Sequence, residues 1–336
     1  MASVSIVILN YNGRPHLEKF LPSVIKNSPD CEIVIADNNS SDDSVDFLNK
    51  HYPETRLIVH DQNYGFSGGY NRAIAQINSE ICVILNSDIE VFENWLNPVL
   101  ELFEKNEKIA AIQPKLLDYN FREKFEYAGG AGGFIDKFGY PFCRGRIFET
   151  IETDTGQYNN TREIFWASGA CLFIRTKLFK SFGGFDEDFF AHMEEIDLCW
   201  RMKKSGYKVF YCGDSVVYHV GGGTLAYANP RKTYLNFRNS LLVLIKNLPV
   251  TALMWKLPFR WIIDYLAVIK FLMSGDFMDA LMILKAHIYV WGNLMKNIKK
   301  RKNIPHSNEN FTGIYPKFLL FTYHIARVRK FSDLKF

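Results

Sequence analysis

Ile81-Cys82-Val83-Ile84-Leu85-Asn86-Ser87-Asp88 is the stretch whose reading decides the fold. Five consecutive apolar residues without alternation read as a short strand covered on both faces, and the polar triplet closes it as a turn. Upstream, residues 3–9, 32–36 and 56–60 are similar apolar, β-branched runs. Between the runs, residues 15–27, 42–50 and 67–78 have helical spacing, with Ser41 placed to cap the second helix. Downstream, residues 93–106 read as a helix and 109–113 as another strand. Strands alternating with helices at this interval predict βαβ units and a mostly parallel central sheet flanked by helices. Ligands of such sheets lie at the carboxyl ends of the strands. The loops after the first, second and fourth strands all carry chemically useful polar residues: Asn10-Tyr11-Asn12-Gly13, Asp37-Asn38-Asn39-Ser40 and Asn86-Ser87-Asp88.

The rest of the chain is less regular. Residues 125–160 are Gly-rich and predict a mobile loop beside a site. Residues 164–175 and 207–219 read as strands, with a helix at 194–205 between them. After about residue 233 the pattern turns to long apolar helices. Residues 252–273 are long enough to span a bilayer. However, Lys256, Arg260, Asp264 and Lys270 fall within about a third of the helical circumference, which predicts an amphipathic surface helix. A second helix at 277–298 leads into Lys299-Lys300-Arg301-Lys302. The expected organisation is a catalytic domain over 1–245, divided near 115, and a helical basic region over 246–336.

Net charge is +4, but residues 296–336 hold ten Lys/Arg against two Asp/Glu. A near-neutral body with a basic tail points to an anionic surface, and an apolar helix face beside it points to the inner leaflet of a membrane rather than to nucleic acid. Packing on another protomer is the competing use of such helices. The six cysteines form no CxxC or zinc-like spacing and predict free thiols in a reducing compartment. The first residues run directly into a strand, without the basic flank of a signal peptide.

Asp88 at a strand end is a hard oxygen ligand suited to Mg²⁺ or Mn²⁺, and such a cation can bridge a diphosphate. Asp37 with Asn38 and Ser40 offers partners for a base or ribose, or forms a simple Asx-turn. Asn63-Tyr64-Gly65-Phe66-Ser67-Gly68-Gly69-Tyr70-Asn71 opens a helix with glycines and is neither a P-loop nor GxGxxG. Glu194, Glu195 and Asp197 start a helix among aromatics, which can desolvate a carboxylate and raise its pKa toward that of a general base. His219 precedes Gly221-Gly222-Gly223 and is a plausible metal ligand. A sugar-nucleotide pyrophosphorylase would carry a Gly-rich, basic loop after the first strand, where this chain has a single Gly.

Taken in order, VSIVILNYN, IVIADNNSSDDS, NYGFSGGYNRAI, ILNSDIEV, WASGACLFIRTKLFKSFGGFDEDFF, EEIDLCWR and YHVGGGT resemble glycosyltransferase family 2 over about residues 3–245. They are nearest to its bacterial rhamnosyltransferase-like members. The resemblance implies a GT-A, Rossmann-like α/β fold and an inverting transfer. The sugar, rhamnose or a related hexose, would pass from a dTDP- or UDP-sugar to a hydroxyl of a glycan or lipid-linked acceptor in surface polysaccharide synthesis. It implies that Asn10, Tyr11, Asp37 and Ser40 bind the nucleoside, with Asn38 beside them. Asn63, Gly65, Gly69 and Asn71 would line the donor pocket. Asn86-Ser87-Asp88 would stand for the family's DxD element, with Asp88 and His219 on the metal. Trp166, Ser168, Gly169, Asp186 and Glu194 would shape the sugar and acceptor pocket. Glu195 falls on the base position and Asp197 is its alternative. Two residues depart from the pattern, Asn86 at the first DxD position and Glu195 where Asp is usual. They keep open a weakened, nucleotide-sugar-binding scaffold. The location implied is cytoplasmic, peripheral on the inner membrane.

Overall fold

The computed structural model describes residues 2–221, 229–301 and 311–336. Gly222 and Gly223 of the glycine run and Lys302 of the basic cluster lie outside these residues. The first half alternates as expected: β1 (Val4–Asn10), α1 (Arg14–Lys26), β2 (Glu32–Asp37), α2 (Ser44–His51), β3 (Arg56–Val59), α3 (Gly65–Ala75) and β4 (Ile81–Asn86). A short β5 (Ile89–Val91), α4 (Asn97–Lys105) and β6 (Ile109–Asp118) follow. Ser41 does not cap α2. Its amide donates to Asn12 Oδ1 at 2.7 Å, and Asp43 occupies the cap position.

Strands β3, β2, β1 and β4 are parallel neighbours. The register sets Asn10 beside Asp37 and Leu9 beside Asn86, so three polar strand ends meet at one edge. Alternate β1 residues serve the two faces. Ile6 and Ile8 join the core under α1 and α4, while Val7 joins the one under α3.

The second half departs from a mostly parallel sheet. After β6 the chain makes β7 (Gly133–Asp136), β8 (Pro141–Cys143), β9 (Arg146–Ile147) and β10 (Thr150–Ile151). Then come β11 (Arg162–Ile164), β12 (Cys171–Arg175), α5 (Thr176–Ser181), α6 (Glu194–Lys204) and β13 (Lys208–His219). The stretch read as one strand over 164–175 is thus two, separated by a turn. β12 inserts antiparallel between β4 and β6, β13 pairs parallel with β6, and β11 and β5 pair antiparallel with β13. The central sheet is mixed: β12 runs antiparallel between the parallel block β4-β1-β2-β3 and the parallel pair β6-β13.

Residues 125–160 are not a mobile loop. Strands β7–β10 form a second sheet, and Gly133 is where it must be bare: a Cβ there would lie 2.1 Å from the Trp166 ring. Its glycines accommodate close packing, a signal that composition alone reads as looseness.

Helices α7 (Pro230–Asn247), α8 (Val250–Met273), α9 (Phe277–Gly292) and α10 (Leu294–Lys300) lead to β14 (Ile314–Tyr315) and α11 (Leu319–His324). The expected helix 277–298 is broken at Asn293. β14 pairs with β7, so the region after 246 is not purely helical and completes the second sheet. Arg260 and Asp264 of α8 do share a strip, but it faces inward. The arginine reaches Phe138 O and Ser240 Oγ, and Asp264 contacts His287 of α9 at 3.1 Å. The apolar side, expected to meet a membrane surface or another protomer, is left outside.

Phe331 fills the second sheet's core, its ring 4.7 Å from that of Phe134 and 5.9 Å from that of Tyr158. Phe331→Ala therefore costs about 3–5 kcal/mol and lowers the melting temperature by several degrees, while the same change at exposed Phe321 is near neutral. Differential scanning calorimetry of the two variants checks this.

Candidate active site

A cleft of about 590 Å³ opens at the carboxyl ends of β1, β2 and β4. Of the residues singled out in the sequence, Tyr11, Asn38, Asn63, Gly65, Asn86, Ser87, Asp88, Ser168, Gly169, Glu194, Glu195 and His219 line it. His16, Glu126, His192, Arg231 and Lys232 line it as well and were not foreseen.

Several expected residues lie beneath or away from the cleft. Asp37 is fully buried and acts as the hub of its turn. It accepts from Ser40 N at 2.8 Å, Ser40 Oγ at 2.7 Å and Asn10 Nδ2 at 2.9 Å. Asn10 Oδ1 is left as a buried acceptor without a partner. Asn38 and Asn63 clasp the start of α3: Asn38 Nδ2 donates to Asn63 Oδ1 and to Gly65 O, both at 3.0 Å. That helix carries no acid in its first turn, and its leading amides are satisfied within the protein: Gly65 N donates to Asn63 Oδ1 at 2.8 Å and Ser67 N to Phe190 O at 3.1 Å. Gly69 packs on Leu9 instead of reaching the cleft. Asn71 brackets the backbone of Phe185, and Trp166 donates to Phe134 O in the second sheet. Both are structural.

Asp186 and Asp197 are also removed from the chemistry. Lys246 Nζ sits 2.7 Å from Asp186 and 2.8 Å from Asp197, and Arg201 closes on Asp197 at 2.8 Å. Burial would raise the Asp197 pKa, but Lys246 and Arg201 hold it below the usual carboxylate range. Asp197 is an ion-pair anchor of α6 and does not face the cleft, which corrects its reading as an alternative base.

The two glutamates are the opposite case. Glu194 Oε2 and Glu195 Oε2 are buried and have no hydrogen-bond partner. Burial pushes the Glu195 carboxyl up to about 7, against the pull of backbone amides in the first turn of α6. Burial, and then the neighbouring Glu195 charge, raises Glu194 well above its ordinary value. A carboxylate poised near neutrality and facing a cleft is what a general base requires.

The backbone leading to them is strained: Phe190, His192 and Met193 all have positive φ, at 64°, 70° and 73°. Two α7 side chains hold this loop. Asn239 Nδ2 reaches the carbonyls of Phe189, Ala191 and His192 at 2.8–3.0 Å, and Arg238 reaches those of Asp188 and Phe189. On the cleft side, Gly65 has φ of +69°, and a Cβ there would meet Phe190 O at 2.6 Å. His192 Nε2 is buried without a partner, and burial with Lys232 nearby lowers its pKa to about 4.

The other wall gathers around His219. β13 pairs with β5 so that His219 lies opposite Ile89, just past the Asn86-Ser87-Asp88 turn. His219 Nε2 is 3.1 Å from Asp88 Oδ1 and 3.3 Å from Asn86 Nδ2. Glu126 Oε1 stands 3.2 Å from His219 Nδ1, behind the ring. Burial alone would lower the imidazole pKa, but Asp88 and Glu126 push it up to about 10. Two buried carboxylates around one imidazole make a pocket that demands positive charge. Among the described residues no three His, Cys, Asp or Glu converge as a complete metal shell. Asp88 and His219 thus fit a divalent cation only if other ligands, such as a diphosphate, complete it. In that event Glu126 would orient His219 from behind.

The model of glycosyl transferase family 2 matches residues 5–183, more than half of the chain. The chain belongs to glycosyl transferase family 2. The match ends before Glu195 and His219, so those assignments rest on geometry. An N-acetylglucosaminyl-diphospho-decaprenol L-rhamnosyltransferase of Mycobacterium tuberculosis is 26% identical over 229 residues, covering 64% of this chain and 75% of that protein. A low-salt glycan biosynthesis hexosyltransferase of Haloferax volcanii is 24% identical, covering 71% and 74%. Among solved structures, GalNAc-T7 with UDP, GalNAc and Mn²⁺ superposes with a TM-score of 0.59 at 18% identity, over 73% of this chain and 48% of that one. That likeness supports the GT-A fold. The protein is a glycosyltransferase of polysaccharide or glycan synthesis.

Two substitutions separate chemistry from scaffolding. A base works ionised, so wild-type kcat/KM rises with pH and levels off above about 7, and Glu195→Gln abolishes transfer at every pH. Because the folded-state pKa is raised from 4.5, the ionised form loses stability as pH climbs toward 7, and the Gln variant melts no lower than wild type at pH 8. Asp197→Asn instead leaves buried cations underpaired and destabilises by about 3–5 kcal/mol. Rate–pH profiles and thermal melts of both variants decide between the two carboxylates.

Proposed function

We propose that the chain is an inverting glycosyltransferase that moves a hexose, rhamnose or a relative, from a dTDP- or UDP-sugar to a hydroxyl of a glycan or lipid-linked acceptor. The observation that carries this reading is the pairing, across one cleft, of a desolvated, near-neutral carboxylate at Glu195 with the Asp88–His219 wall. Tyr11, Asn38 and Asn63 form the nucleoside end. Asp88 and His219 would hold Mg²⁺ or Mn²⁺, which would supply positive charge to the leaving diphosphate. Ser168 and Gly169 border the sugar. Glu195 takes the proton from the acceptor hydroxyl, whose oxygen then attacks the anomeric carbon from the face opposite the diphosphate. Glu194, kept protonated by burial and by its neighbour's charge, confines the negative charge to Glu195.

The acceptor class named for the mycobacterial relative is a sugar on a diphospho-lipid. A station on the cytoplasmic face of an inner membrane suits such an acceptor, and assembly into homo-oligomers is the competing use of the apolar helices. The desolvated, cleft-facing glutamates favour an active enzyme over a scaffold.

Thermal-shift measurements with UDP- and dTDP-sugars, with Mg²⁺ or Mn²⁺, test the donor site. A matched donor at a hundred times its Kd stabilises by about 2.7 kcal/mol. The metal-dependent part of that shift disappears in Asp88→Asn. Absence of a shift with every donor and metal sinks the reading.

A further inference from the structure

The α8–α9 hairpin is folded with its polarity reversed. Its polar residues Arg260, Asp264 and His287 are 1–3% exposed and meet one another inside. Its outer side carries large apolar residues: Met254 is 75% exposed, Met273 85%, Phe277 67% and Ile288 73%, with Ile262 and Leu266 between them. A soluble surface rarely leaves so long an apolar face in water.

We propose that this face seats in the headgroup–acyl boundary of an anionic bilayer, resting on the membrane-peripheral reading given above and supplying its surface. Among the described residues no helix is long and apolar enough to cross a membrane, so the hairpin lies along the surface. The exposed charges beside the apolar face include the lysines Lys270, Lys285 and Lys299. Two of the carboxylates are withdrawn: Asp264 faces inward, and Asp279 accepts from Thr233 Oγ1. A lysine-bordered apolar face matches anionic headgroups over acyl chains. A second copy of the chain would bring lysines against lysines. Trp255, Tyr265 and Trp291 are about half exposed on the same hairpin, and such rings favour the membrane interface.

The surface also adjoins the site. The Thr233–Asp279 bond joins α9 to the first turn of α7, where Arg231 and Lys232 line the cleft. A bilayer on the hairpin therefore brings lipid-borne acceptors to that side of the cleft.

Flotation with vesicles of phosphatidylethanolamine and phosphatidylglycerol at 3:1, against phosphatidylcholine alone, tests the surface. The full chain floats with the anionic vesicles. The triple variant Met273→Asp/Phe277→Asp/Ile288→Asp, at exposed positions, loses partitioning about 100-fold. Lys270→Gln/Lys285→Gln/Lys299→Gln loses about tenfold or more, mainly at low salt. Both keep the wild-type donor-induced thermal shift, which separates this surface from the donor site. If wild type stays unbound, or the Asp variant floats equally well, the proposal fails. It also fails if light scattering shows a dimer that the Asp variant dissolves while no vesicle binding occurs. If flotation holds but no donor binds, the surface stands and the transferase reading falls.

Discussion

Five hydrogen bonds from two adjacent α7 side chains hold a strained turn in which three described non-glycine residues have positive φ. Arg238 and Asn239 satisfy the carbonyls of Asp188, Phe189, Ala191 and His192, and three of residues 190–193 sit in a left-handed conformation that β-carbons resist. Without that grip the turn would relax, and the first turn of α6 would rotate Glu194 and Glu195 out of the cleft. Lys246, two helical turns on, fixes the same helix through Asp197 and the preceding loop through Asp186. The helix that follows the glycine run is thus the frame on which the acid–base wall is hung.

The cleft divides its electrostatics between its walls. Around His219, the carboxylates of Asp88 and Glu126 stabilise positive charge. Around Glu195, burial penalises negative charge and keeps the carboxyl near neutrality. A single cleft can in this way hold a polyanionic leaving group at one end and collect a proton at the other. Both biases come from position: β13 pairing with β5 delivers His219, and the held turn delivers Glu195.

The parallel half of the fold was legible because each strand is a short apolar run closed by polar residues, and helical spacing fills the gaps. Strand-end residues such as Asn38 and Asp88 followed from that alone, whereas Asn63 was singled out through the family resemblance. The mixed half was not, since nothing local tells β12 to enter antiparallel. The glycines of 129–145 were misjudged because close packing and looseness share a composition. Asp197 looked catalytic beside Glu194 and Glu195. What separates them is Lys246, 49 residues away. Glu126, Arg238 and Asn239 gave no signal, because each acts only through a contact across the fold. The α8 periodicity was read correctly, but a period does not say which face turns inward.

The pairing of Ile314 with Ile135 and the seating of Phe331 against Phe134 bear on how the protein is made. These contacts join segments separated by more than half of the chain, and such distant closures are slow to form. As synthesis proceeds from the amino end, the parallel half can collapse early. The second sheet waits, with an open edge and bare aromatic rings, until residues 311–336 emerge. Until then the nascent chain exposes both that edge and the outward apolar hairpin, a double liability that favours early capture by a chaperone or by a lipid surface.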